Sequence, residues 1–121
     1  MSDLAEVISA YGAAWQETNS EQRLSLLDLA WADDGRYSDP TADVSGRQNL
    51  SDHIGHVLAS SNGGRVELTS ATNTHHDVAH FTWRMVAPDG SVMVSGHDFV
   101  QFAGDGRIAR LAGFFGDPEP L

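Results

Sequence analysis

The sequence contains neither cysteine nor lysine. Without cysteine it can form no disulfide framework, no thiolate nucleophile and no cysteine-based metal site. Without lysine it cannot form a Schiff base, and neither GxxxxGK nor GxGxxG is present to hold a nucleotide. Long apolar runs are also missing: no stretch approaches the roughly 20 residues of a membrane-spanning helix, and the first residues do not resemble a signal peptide. These absences predict a cytoplasmic protein that binds no membrane and uses no cofactor.

Basic residues are scarce as well. Seven arginines face 17 acidic residues, which gives a formal net charge of −10 at pH 7. A chain with this balance repels phosphate backbones and anionic lipid head groups. Nucleic acid is therefore not expected as a partner, and a small apolar molecule fits the composition better.

The chain has the length of one domain. Its 121 residues are 40% hydrophobic, which suffices for a single core without a metal or a disulfide to stabilise it. No linker, repeat or low-complexity stretch divides the sequence. We predict one domain over residues 1–116, followed by a loose tail, Asp-Pro-Glu-Pro-Leu, over 117–121.

Three segments in the first half carry apolar residues at the three- and four-residue spacing of a helix with one buried face. The predicted helices cover about residues 4–18, 20–34 and 49–60. Asn19 or Ser20 is suited to cap the second helix, and Asn49 or Ser51 the third.

Between the second and third helices, residues 36–38 form a short extended piece that ends at Asp39-Pro40. The residue before a proline is disfavoured in helical conformations, so Asp39 marks the end of this piece. Asp-Pro is also ordinary turn chemistry, and a turn or loop through Gly46 follows.

After Gly64 the apolar period changes to two, which indicates strands. They are predicted over residues 65–72, 77–87, 91–102 and 107–115. Asp89-Gly90 and Asp105-Gly106 supply the positive φ of tight hairpin turns, so the last three strands form an antiparallel meander. We therefore predict an α+β fold in which the helices pack on one face of a curved antiparallel sheet, with a pocket inside the curve.

Alternation along the strands indicates which side chains enter this pocket. The inward positions are Phe81, Trp83 and Met85 on one strand and Asp98, Val100 and Phe102 on the next. Asp98 is the exception among them, because a buried carboxylate must be neutralised, paired or hydrogen-bonded. Two alternatives to such burial stay open: a salt bridge to Arg84 or Arg110, or a register that turns Asp98 to solvent and Phe99 inward.

Two further groups of residues bear on chemistry. Tyr11 carries a hydroxyl on the apolar stripe of the first helix, and this hydroxyl needs a partner. The histidines form no metal-binding pattern: His75 and His76 are neighbours on a strand and point to opposite faces, while His53 and His56 on the third helix lack a third ligand at a suitable spacing. No metal site is expected.

The outward face of the predicted sheet carries His97, Phe99 and Gln101. This face is apolar enough to predict a homodimer.

Several short motifs follow one another in a recognisable order. They are Tyr11 on the first helix, Trp-Ala-Asp-Asp at 31–34, Ser-Asp-Pro at 38–40, Gly46 before the third helix, Gly-His-Asp-Phe at 96–99 and Gly-Phe-Phe-Gly at 113–116. This order resembles the NTF2-like superfamily, and within it the SnoaL-like and ketosteroid isomerase branch, over nearly the whole chain. The resemblance implies a cone-shaped sheet wrapped around three helices, the NTF2-like or cystatin-like fold.

For the site, the resemblance implies a cofactor-free isomerase that transfers a proton between two carbons of a steroid- or polyketide-like ketone. Asp39 would be the general base, while Tyr11 and a protonated Asp98 would donate hydrogen bonds to the enolate oxygen. The substrate pocket would be lined by Trp15, Trp31, Val57, Trp83, Phe102 and Phe114. The segment before Asp39 is a helical turn longer than in the isomerases, which leaves open whether Tyr11 or Trp15 takes the donor position.

Two other functions stay open because the superfamily is diverse. One is a SnoaL-like polyketide cyclase, in which Asp98 is ionised and acts as the acid and base itself. The other is a noncatalytic module that binds a ligand or dimerises.

Overall fold

The structure is a computed structural model that describes residues 3–121. Met1 and Ser2, which the predicted domain includes, lie outside the described residues. The three helices are α1 (Leu4–Ala14), α2 (Ser20–Ala30) and α3 (Arg47–Ser60). The seven strands are β1 (Trp31–Asp39), β2 (Ala42–Ser45), β3 (Arg65–Leu68), β4 (Asn73–His75), β5 (Val78–Val86), β6 (Val92–Phe102) and β7 (Ile108–Phe115).

The helix starts follow from local capping. Asn19 caps α2 as predicted, since its side chain accepts a hydrogen bond from the backbone N–H of Gln22 at 3.0 Å. The capping prediction for α3 is wrong, because this helix begins at Arg47, directly after Gly46, whose φ of 86° only glycine adopts readily.

No helix within residues 3–121 is long and apolar enough to span a membrane.

Helix α2 ends at Ala30, earlier than predicted, and Trp31 begins strand β1. Pairing of β1 with β2 and β7 takes this segment out of the helix, although the apolar spacing continues. The side chain of Arg47 stabilises the junction, because its Nε donates to the carbonyl of Trp31 at 2.7 Å and its guanidinium pairs with Asp33 at 2.7 Å.

The strands form one curved sheet in the order β2-β1-β7-β6-β5-β3, with β4 also paired to β5. The predicted meander over β5, β6 and β7 is confirmed, and so are its turns: Gly90 and Gly106 have φ of 88° and 89°. The first predicted strand, over residues 65–72, ends at Leu68 as β3, and β4 lies outside the predicted strands. The sheet is mixed, because β1 and β7 pair in parallel.

The helices pack against the concave face of the sheet, and most of the core lies between them. Leu27, Trp31, Leu50, Ile54 and Ile108 are fully buried there. A cavity opens between the helices and the concave face, and core side chains such as Tyr11, Trp15 and Met85 form part of its lining.

Candidate active site

The cavity has a volume of about 200 Å³ and lies between α1, α3, the end of β1 and the concave face of the sheet. Its lining is mostly apolar and aromatic: Tyr11, Gly12, Trp15, Tyr37, Asp39, Thr41, Val57, Val66, Leu68, Trp83, Met85, Val94, Asp98 and Phe115. The acidic groups in this lining are Asp39 and Asp98, and no arginine or histidine belongs to it. The cavity therefore suits a small neutral molecule better than an anion.

The structure brings the three predicted catalytic residues, Tyr11, Asp39 and Asp98, into this one lining. Three of the predicted substrate-binding residues join them there: Trp15, Val57 and Trp83. The other three lie elsewhere.

Phe114 was predicted in the lining, and this prediction is wrong. In the pairing of β6 with β7, Phe114 lies opposite His97 on the outer face, where it is 57% exposed. Its neighbour Phe115 lies opposite Gly96 and enters the cavity instead. Gly96 also leaves room for the indole of Trp83, since a Cβ there would lie 2.5 Å from the ring.

Trp31 and Phe102 are core residues and do not line the cavity. Trp31 stacks on Tyr11 with ring centroids 5.7 Å apart, and a Cβ on Gly35 would lie 2.4 Å from its indole nitrogen, so Gly35 covers this ring closely. Phe102 lies at the far end of β6, opposite Ile108. Both predictions failed because the cavity occupies only part of the inward face.

Asp98 is buried, with a relative exposure of 6%. The indole N–H of Trp83 donates to its Oδ1 at 3.0 Å. Neither open alternative holds within the described residues, because Asp98 does not face solvent and both arginines have other partners: Arg84 pairs with Glu67, and Arg110 donates to a serine hydroxyl. A buried carboxyl without a counter-cation is favoured in its neutral form.

Burial raises the pKa of Asp98 from its ordinary value to about 7, although the hydrogen bond from Trp83 opposes the shift. The negative charge of Asp39 adds to it. Near neutral pH a large fraction of Asp98 is therefore an uncharged acid that can donate a hydrogen bond.

Asp39 has a different environment. Its Oδ1 accepts from the backbone N–H of Thr41 at 2.7 Å and from the hydroxyl of Thr41 at 2.8 Å. Its Oδ2 accepts from the hydroxyl of Tyr37 at 2.5 Å. Neighbouring donors therefore hold both oxygens of Asp39 in place.

The two aspartates flank a single backbone position. A Cβ built on Gly113 would lie 2.9 Å from Oδ1 of Asp98 and 3.5 Å from Cβ of Asp39. The two side chains are therefore close enough to contact one small ligand, and the missing side chain of Gly113 leaves the space between them open.

Tyr11 and Trp15 are neighbours in the lining, and a hydrogen bond from Trp15 lowers the pKa of Tyr11. Burial and the charge of Asp98 raise the pKa of Tyr11 well above its ordinary value, so its hydroxyl stays a donor. Trp15 packs against the rings of Tyr37 and His53 near Asp39, with both centroid distances at 6.0 Å. The charge of Asp98 reaches the hydroxyl of Tyr11, and the role of Tyr11 as the donor stays a prediction.

The sequence reasoning missed Tyr37 and His53. Tyr37 and Asp39 are two apart on an extended segment, so alternation predicts that they share a face. His53 comes from α3; its side chain is 14% exposed, and its Nε2 lies 4.0 Å from Oδ2 of Asp39 without a hydrogen-bond partner. Burial lowers the pKa of His53, which favours the neutral ring.

Like His53, the other histidines of the described residues do not belong to the cavity lining. His80 and His97 stack on the outer face at 5.7 Å, and His75 contacts His76. Among the described residues no group of three or more histidine, aspartate or glutamate side chains is arranged to hold a metal ion.

Comparison with solved structures shows the same fold in other proteins. A proposed isomerase of the SnoaL-like family from Agrobacterium tumefaciens is 32% identical, with a TM-score of 0.86 over 92% of this chain and 95% of that chain. An NTF2-like protein from Exiguobacterium is 17% identical, with a TM-score of 0.72 over 93% and 99% of the two chains. A proposed polyketide cyclase from Sinorhizobium meliloti is 18% identical, with a TM-score of 0.69 over 88% and 92%. The latter two share the fold alone.

Among curated proteins, none matches the sequence. The family model of the SnoaL-like domain matches residues 8–111, a range that includes all three predicted catalytic residues. The chain thus has the NTF2-like fold and belongs to the family of SnoaL-like domains.

Proposed function

We propose that the protein is a cofactor-free isomerase that moves a proton between two carbons of a small, neutral, unsaturated cyclic ketone. One observation carries the proposal: two carboxyl groups with opposite environments flank Gly113 in one cavity. Asp39 accepts three hydrogen bonds, whereas Asp98 accepts one from Trp83 and has a pKa of about 7. Carboxyl groups in unlike environments suit a base and an acid that act together.

In this reaction Asp39 removes a proton from the carbon between the carbonyl group and the double bond. The electrons move into the ketone, and the enolate oxygen accepts hydrogen bonds from Tyr11 and from neutral Asp98. Asp39 then returns the proton to the far carbon of the former double bond, so the product is conjugated and the enzyme is restored. Each donor to the enolate oxygen is worth about 10²–10³ in rate.

The direct test is the conversion of 3-cyclohexenone to 2-cyclohexenone, followed by the ultraviolet absorbance of the conjugated product. Asp39→Asn should lower kcat by about 10²–10⁴-fold, because the base is lost while the shape is kept. Asp43→Asn is the matched control, since Asp43 lies on the neighbouring strand and pairs with Arg36 outside the cavity. Equal rates for Asp39→Asn and the control would contradict the proposal.

A polyketide cyclase is the second candidate, because a pKa of about 7 also suits a group that gives and takes protons at neutral pH. Asp98→Asn separates the two functions. An amide still donates a hydrogen bond to an enolate, so the isomerase should keep a measurable part of its rate. A cyclase that uses Asp98 as its base should lose its activity.

A noncatalytic binding module is the third candidate. It would bind cyclic ketones, detected by quenching of the fluorescence of Trp15 and Trp83, and convert none of them.

We also propose that two copies associate through an outer patch of the sheet, formed by His80, His97, Phe99, Ala112 and Phe114. Phe99 is 47% exposed, stacks on His80 at 4.8 Å and meets Phe114 edge to face at 6.0 Å. The patch contains no carboxylate, although the chain carries a net charge of −10. Two copies can meet at this patch without bringing like charges together.

A further inference from the structure

The two oxygens of Asp39 differ in how many hydrogen bonds they accept. An ionised carboxylate offers about two lone-pair sites on each oxygen. Both sites of Oδ1 are filled by the two donors of Thr41, while Oδ2 accepts only from Tyr37. The site left for an incoming proton is therefore on Oδ2, the atom that faces His53.

His53 presents a nitrogen to this oxygen. Its Nε2 is buried, has no hydrogen-bond partner within residues 3–121 and lies 4.0 Å from Oδ2. A buried polar atom without a partner is costly, so its place beside a carboxylate needs a reason. An approach of about 1 Å brings the two atoms within hydrogen-bond distance, and such contacts often shorten when a substrate binds.

We propose that His53 is a positioning residue for Asp39, whose Nε2 accepts a hydrogen bond from Oδ2 once that oxygen has taken the substrate proton. This inference rests on the proposed proton transfer. The C–H bond of the substrate breaks, an O–H bond forms on Asp39, and His53 holds that hydrogen until it returns to the other carbon. No proton leaves the site in this cycle.

The groups around His53 are consistent with a neutral ring that accepts a hydrogen bond. It faces Tyr37 and Asp39 on β1 and the ring of Trp15 on α1, and His56 lies one turn away on α3. Burial lowers the pKa of His53 most strongly; Asp39 raises it, and His56 lowers it. Because the ring is uncharged near neutral pH, one of its nitrogens is free to accept.

The kinetic test compares His53→Phe with His53→Gln. Phenylalanine keeps the ring packing against Trp15 and Tyr37 and removes both nitrogens, while glutamine keeps a polar group at the reach of Nε2. We expect His53→Phe to lower kcat by about tenfold or more with little change in KM, and His53→Gln to recover part of the loss. His56→Phe, the same change at an exposed position of α3, should leave kcat unchanged.

A pH–rate profile distinguishes this role from packing. Because a hydrogen bond from Asp39 to His53 couples the two groups, the acidic limb of kcat/KM should move in His53→Phe and stay in place in His56→Phe. An unmoved limb, or a glutamine variant as slow as the phenylalanine variant, would overturn the proposal.

A second measurement does not need turnover, so it separates this inference from the proposed function. In the free protein the ring of His53 is titrated by NMR with and without Asp39→Asn. Asp39 raises the pKa of His53, so the midpoint of the His53 titration should fall in the variant. If the midpoint falls but no ketone is isomerised, the proposed function fails and the pairing of Asp39 with His53 stands. If the midpoint does not move, the pairing is refuted.

Discussion

The indole N–H of Trp83 donates to Oδ1 of Asp98 across the pairing of β5 with β6. This hydrogen bond lowers the pKa of Asp98 and so opposes the effect of burial. Trp83→Phe should keep the ring in the cavity and remove the donor, and the pKa of Asp98 should then rise above about 7. NMR titration of the Asp98 carboxyl carbon measures it, and a lower pKa in the variant would contradict this account.

Asp98 should also make stability depend on pH. Its folded pKa, about 7, lies above its ordinary value of 3.8, so the folded state binds a proton more tightly than the unfolded chain. The stabilisation is complete below about pH 4 and is lost as the pH rises to about 7. Asparagine at position 98 does not titrate, so Asp98→Asn does not lose this stabilisation. Relative to the wild type, the free energy of unfolding of the variant should therefore increase by a few kcal/mol as the pH rises through this window.

Urea unfolding of both proteins at pH 4, 5, 6 and 7 checks this difference. If the free energies of unfolding of the two proteins differed by the same amount at every pH, Asp98 would be ionised in the folded protein throughout the range.

Gly113 should tolerate no side chain. A Cβ would lie 2.9 Å from the Asp98 carboxyl group, closer than real Cβ atoms approach such neighbours. Gly113→Ala should therefore cost about 1–3 kcal/mol of stability and reduce binding of cyclic ketones, because the methyl group fills the space between the aspartates. Gly104→Ala is the control, since a Cβ there meets no atom within 4 Å. Thermal unfolding and tryptophan fluorescence measure both effects.

The size of the cavity predicts a preference among ketones. An engineered cavity of roughly 150 Å³ accepts benzene, whereas drug-sized ligands need pockets of roughly 300 Å³ or more. At about 200 Å³ the cavity should bind a one-ring enone inside and leave most of a four-ring steroid outside. Affinities for one-, two- and four-ring enones should fall in that order, and tightest binding of the steroid would contradict the prediction.

The outer patch predicts a dimer in solution. Wild-type protein should elute as a dimer from size-exclusion chromatography at micromolar concentration, and Phe99→Asp should elute as a monomer because it places a charge at the centre of the patch. Leu29→Asp is the control, since Leu29 is exposed on α2. A monomeric wild type would refute the proposed contact.

Much of the fold could be predicted because its signals are local. The hairpin turns at Gly90 and Gly106, the cap at Asn19 and the inward side of Asp98 depend on few neighbouring residues. Trp31 could not be assigned in this way, since its strand forms only through pairing with the distant β7 and contact with Arg47.

Residues of the candidate site could be predicted where alternation along a single strand determines whether a side chain points into the cavity. Phe114 and Phe115 are adjacent aromatic residues, and only the register against Gly96 and His97 shows that the second one enters the cavity. The direction of the His53 side chain depends on how α3 is rotated about its axis. The packing of the neighbouring Ile54 into the core determines this rotation. Tyr37 could have been predicted, because alternation along the extended residues 36–38 places it on the same face as Asp39.

The parallel pairing of β1 with β7 has a consequence for how the site forms. Strand β7 lies between β1, which carries Asp39, and β6, which carries Asp98. During synthesis on a ribosome, a chain that has emerged only as far as residue 107 already contains Asp39, Asp98 and both tyrosines, yet β7 is not there to pair β1 with β6. The site is completed when the last strand docks, so catalysis would report that the chain has finished folding.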